Sequence, residues 1–221
     1  MINYLDIILL ILIWLVGWGI YFYSGRKETQ FTKSSELSFS YFIFLSLGTF
    51  YLFKNDLPDH ISDYLIWYGA AMILVFLIVN HIYYSIRRHY HEPLLLEKNH
   101  PTDRWLQANR TAIFITSAHI LFQQIVITFL ILELYKFFPL QSVLTYFMVI
   151  FAILHLPLVY FKGVKFAALY TLPAAIAGLI FPFILIKLTP YGFILNYIIH
   201  WSFYALITYI FWRRQGKITI K

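Results

Sequence analysis

Apolar residues run through this chain in long blocks, separated by short clusters of polar and charged ones. The blocks are Tyr4–Tyr23, Ser38–Phe53, Asp63–Ile86, Asn109–Lys136, Leu140–Phe161, Val164–Ile186 and Tyr191–Trp212. A helix of about 20 apolar residues crosses a bilayer. Each block is therefore predicted to be a membrane-spanning helix. The second is the shortest. The fourth is the longest, so it is expected to tilt or to begin in the interface. The fold class that follows is an all-α polytopic membrane protein of about seven transmembrane helices. No internal repeat or low-complexity linker divides the chain. It reads as one integral membrane domain over 1–221, with three helices and a loop in 1–108, four further helices in 109–212 and a basic tail in 213–221. The first block lacks a basic leader and a small-residue cleavage site, so it is expected to be a retained helix.

Composition strengthens this reading. The chain is 61% hydrophobic, 21% aromatic and 12% charged. Soluble domains average about 45–50% apolar and about 25% charged. Tyr and Trp collect at membrane interfaces, where one end of the ring is wet and the other dry. With no cysteine, there is no disulfide, thiolate metal site or thiol nucleophile. The net charge of +7 lies at helix ends and not on one solvated face, which argues against nucleic acid.

Charge also predicts orientation. Of the 17 Lys and Arg, only Lys54, Lys136 and Lys187 fall on one side of a seven-span topology. Cytoplasmic segments are rich in Lys and Arg. The amino terminus is thus expected outside and the carboxyl terminus in the cytoplasm, in a bacterial inner membrane. The longest loop, Arg87–Ala108, then faces the cytoplasm. Its Leu94, Leu95 and Leu96 are expected to dip into the interface. His89, His91 and His100 there are read as solvated in preference to a metal site. Ala167, Thr171, Ala174 and Gly178 put small residues on successive turns of the sixth span, which lets helices approach closely. Pro157, Pro173 and Pro182 each remove a backbone donor inside a span and are expected to kink it.

Polar residues inside the spans are the candidate chemistry, since burying them is costly. His119 and Gln123, four apart, share a helix face, as do Gln124 and Thr128. Asn196, His200 and Tyr204 form another four-residue ladder, and His155 sits on the fifth span. At 1.5 Å per residue, His155, His119, His200 and Gln123 lie roughly 9, 15, 18 and 21 Å from their cytoplasmic ends. These depths allow one shared pocket. Three histidines, His119, His155 and His200, are the ligand set expected of a zinc or similar divalent metal with an open fourth position. Metal-bound water would then be the nucleophile, with Gln123 behind it. The plainer reading is that each group hydrogen-bonds a neighbouring helix, for about 1 kcal/mol or less.

In order, these features resemble the CPBP family, the CAAX-protease and bacteriocin-processing (Abi) intramembrane proteases. Phe151-x-x-x-His155 matches that family's Phe-x-x-x-His motif. His200 stands where its last motif, His-x-x-x-Asn, begins, but Tyr204 replaces the Asn. At the family's Glu-Glu-x-x-x-Arg motif this chain reads Gln123-Gln124-x-x-x-Thr128. The resemblance covers roughly Asn109 to Trp212. It implies a CPBP-like four-helix core, with Gln123, Gln124, His155 and His200 at the catalytic-motif positions. It also implies that the chemistry has changed. A general base must be able to accept a proton, and glutamine does not. Thr128 lacks the charge of the motif Arg.

The expected function is that of a non-catalytic CPBP-like membrane protein, a pseudoprotease acting as a subunit or binding partner in a membrane complex. Its partners would be the lipid bilayer, other membrane-protein subunits, and a lipid or peptide in the core pocket. The alternative is an intramembrane peptidase or hydrolase using the histidine-lined, metal-binding pocket. A transporter is a third class, which no inverted repeat supports.

Overall fold

The computed structural model describes residues 4–26, 35–93, 96 and 105–215. Among them there is no β-strand, and seven helices are long and apolar enough to cross a membrane. The chain has the architecture of an all-α integral membrane protein. Its first span is α1 (Leu5–Gly17) continued by α2 (Gly19–Arg26), with a break at Trp18. The second is α3 (Ser35–Phe53), extended by a 3-10 turn to Asp56. It is longer at both ends than the hydrophobic block suggested. A short α4 (Asp59–Ser62) leads into the third span, α5 (Leu65–His89).

The fourth span, α6 (Arg110–Phe137), is the hub. Its sequence is apolar on every face, the pattern of a helix surrounded by protein. Inside the molecule, 78% of its apolar window is buried, against 17% for α5. The Asn109 side-chain oxygen caps its start, accepting from the Ala112 N–H at 2.8 Å, and so satisfies one of the donors that open every helix. At its other end Lys136 bridges Glu133 at 2.6 Å and Asp56 at 2.7 Å. The second of these ion pairs ties the end of the second span to the hub.

The fifth span is α7 (Leu140–Ile153) followed by α8 (Pro157–Lys162); the sixth is α9 (Val164–Lys187); the seventh is α10 (Gly192–Gln215). Gly163, with φ of +78°, makes the reversal between α8 and α9, a conformation costly for residues with a Cβ. The small-residue stripe on α9 packs as expected. A methyl group added to Gly178 would lie 2.5 Å from Met148 Cα on α7. α9 continues as one helix through Pro173 and Pro182, and only Pro157 marks a break.

One end of the bundle gathers Tyr90, Trp105 and the tail of α10. The Thr208 hydroxyl donates to the Trp105 carbonyl at 3.0 Å, and the Trp212 indole donates to the Leu106 carbonyl at 2.7 Å. Leu96 is buried in the core at this end, which corrects its expected place in the interface. Leu94, Leu95 and His100 lie outside the described residues.

Candidate functional site

Pro157 creates the local geometry of His155. It has no N–H, so the α7 ladder ends in a tight turn, with His155 N–H donating to Ala152 O and Leu156 N–H to Ile153 O. The Leu158 N–H bonds to His155 O at 3.1 Å, where a regular helix would bond it to Leu154 O. The freed Leu154 carbonyl accepts two indole N–H groups, from Trp14 at 3.2 Å and from Trp18 at 3.0 Å. A buried carbonyl without a donor is costly, so the first span is fastened at the break beside the histidine.

Within that break the His155 ring is held on three sides. Its Nδ1 lies 2.7 Å from the Phe151 carbonyl oxygen. A carbonyl only accepts, so Nδ1 carries the hydrogen, and a neutral imidazole then presents Nε2 as an acceptor. Phe151 meets the ring edge-on at 4.7 Å, and Trp14 packs on it at 5.7 Å.

His200 reaches the same space from α10. Asn196, one turn before it, donates to the Phe181 carbonyl at 3.0 Å and so fixes α10 against α9. The His200 ring stacks on Tyr204 at 5.7 Å and lies 6.0 Å from Phe181. Its Nδ1 is buried and has no hydrogen-bond partner in the structure.

His155 and His200, each 7% exposed, line one cavity of about 190 Å³ between α7, α9 and α10. Its wall includes Phe151, Tyr170, Ala174, Phe181 and Tyr204, and among the described residues no Asp, Glu, Lys or Arg lines it. Ile176 and Ile180 both line the cavity and are exposed on the outer surface of α9. Tyr204 is part of the wall. Tyr170 and the Trp14–Trp18 pair were missed from sequence. The indoles had a readable signal, because two N–H donors four residues apart inside a span must find acceptors.

The other sequence candidates lie elsewhere. His119 is 4% exposed and sits in an aromatic box. It stacks on Trp105 at 6.0 Å with an interplanar angle of 9°, and lies 4.6 Å from Phe42 and 5.9 Å from Tyr21. Gln123 and Gln124 are buried, yet neither lines the histidine cavity. Neither amide atom of Gln124 has a partner in the structure, nor does Gln123 Oε1. Thr128 lines a separate apolar cavity with Tyr68, Leu121 and Phe193. The expected zinc set of His119, His155 and His200 is therefore not assembled. Among the described residues no three His, Cys, Asp or Glu side chains come together to hold a metal. The reason is directional: α6 turns His119 toward Tyr21 and Phe42, whereas His155 and His200 face α9. His89, expected in the loop, is the last residue of α5 and bonds back to the Ser85 carbonyl of that helix at 2.8 Å. Compared with family models, curated proteins and solved structures, the chain has no match.

Proposed function

We propose that this protein is a non-catalytic membrane component with a CPBP-like core, a subunit or binding partner in a membrane complex, whose histidine cavity holds a ligand. The observation that carries the reading is the cavity lining. It pairs two histidines without a carboxylate, and the Gln123-Gln124 pair at the family's acid position stands apart from it. Hydrolysis through activated water needs a group that takes a proton and a second that stabilises the developing charge. Two neutral imidazoles in an apolar wall suit recognition better. The positive-inside bias supports an amino terminus outside and a carboxyl terminus in the cytoplasm of a bacterial inner membrane.

One observation favours a second reading, an intramembrane hydrolase: His155 and His200 do share a cavity, and His155 presents a free basic nitrogen. Purification in mild detergent, with the His155→Ala/His200→Ala double variant alongside, separates the two. The first reading expects defined companion subunits, and a double variant altered only in complex stability. A hydrolytic activity that the double variant loses while still assembling would overturn it.

A further inference from the structure

The histidine cavity has a polarity that narrows what it binds. His155 Nδ1 is committed to Phe151, which leaves Nε2 as an acceptor aligned by Trp14 and Phe151. The buried His200 Nδ1 has no partner. A neutral imidazole has one donor and one acceptor nitrogen, so the pair offers a fixed acceptor and an adaptable partner within one apolar wall. Unpartnered polar atoms that are buried call for a ligand group or water to complete them.

Depth and access add to this. His200 lies roughly 12 Å from one end of α10 and roughly 22 Å from the other, at 1.5 Å per residue. No charged side chain lines the cavity to balance a charged headgroup, and charge is expensive at such depth. Ile176 and Ile180 line the cavity and are exposed on the outer face of a membrane-spanning helix, the side that lipid tails would cover. A ligand entering there must be an apolar chain carrying a small neutral polar group. That group must both donate to Nε2 of His155 and pair with His200.

We propose that the cavity binds the neutral O–H group of a long apolar chain, with the hydroxyl between His155 and His200 and the chain leaving between α9 and α10. A long-chain alcohol and a protonated fatty acid share this chemistry. The proposal rests on reading the cavity as a binding site and not a catalytic one.

The test uses the full-length protein in phosphatidylcholine nanodiscs. A dodecanol carrying a photoreactive diazirine is crosslinked, and the labelled peptides are mapped. Competitors are dodecanol, lauric acid above and below its pKa, and dodecyl methyl ether, which accepts but does not donate. The expected result is labelling in α9 and α10, with the ether competing roughly tenfold more weakly than the alcohol, the effect of one lost hydrogen bond. Competition by the acid only at low pH would add the protonated acid as a ligand, and competition by the alcohol alone would identify the alcohol. Both outcomes support the proposal. His200→Phe is expected to weaken labelling about tenfold, while His200→Gln, which retains a donor, recovers part of it. Equal competition by ether and alcohol overturns this inference alone. Wild-type hydrolysis of a dodecyl ester that is lost in His155→Ala/His200→Ala overturns the non-catalytic reading, and this inference with it.

Discussion

The molecule buries histidines in two places, and the surroundings differ. His119 is enclosed by Trp105, Phe42 and Tyr21, with its ring parallel to the indole. His155 and His200 line one cavity of about 190 Å³, whose wall reaches the exposed Ile176 and Ile180. In the first place the imidazole lies parallel to an indole and is closed in by two further rings. In the second, packing fixes the rings while leaving room in front of them. A polar residue in a membrane is thus a candidate for recognition only when neighbouring side chains stop short of filling its surroundings.

The comparison breaks most readily at the box. Phe42 is fully buried against His119, Phe122 and Tyr21. Phe42→Ala is expected to destabilise the protein by about 3–5 kcal/mol, measured by denaturant titration in detergent. Probe affinity of the surviving folded fraction should not change. An equal loss of probe binding would join the two regions that the account keeps apart.

A smaller effect is expected behind the cavity wall. Gly178→Ala puts a methyl against the Met148 backbone and should cost about 1–3 kcal/mol by overpacking. Because α7 and α9 together carry His155 and most of the cavity wall, probe binding should fall along with stability. Trp14→Phe/Trp18→Phe removes both donors to the buried Leu154 carbonyl. The expected cost is about 1–3 kcal/mol, with weaker probe binding, since Trp14 also braces His155. Unchanged binding in that double variant would show that the clamp does not position the ring.

The smallest effect belongs far from both sites. Asp56 is 33% exposed where it bridges Lys136, itself 41% exposed. Exposed pairs contribute about 1 kcal/mol or less. Asp56→Asn should lower thermal stability slightly and leave probe affinity alone.

Much of the scaffold was legible in the sequence, because the seven apolar runs are properties of whole segments and reappear as seven long apolar helices. Gly178 and its neighbours on α9 announced a close helix contact, which Met148 supplies. His155 and His200 were read as neighbours and line one cavity. The arrangement around α6 was not legible. Spacing tells which residues share a helix face, but α6 is apolar on every side, so nothing in its pattern says which partner each face meets. His119 therefore looked like a third ligand when it faces α2 and α3. The fastening of Trp14 and Trp18 to Leu154 spans more than 130 residues. It depends on a carbonyl that only the break at Pro157 sets free.

The central claim is that the two histidine environments differ in kind. Its most direct measurement compares His119→Phe with His200→Phe for affinity toward the photoreactive dodecanol in nanodiscs. His119→Phe should bind like the wild type, because a flat ring still fills the aromatic box, while His200→Phe should lose about tenfold. Equal losses in the two variants, or loss in His119→Phe alone, would contradict the account.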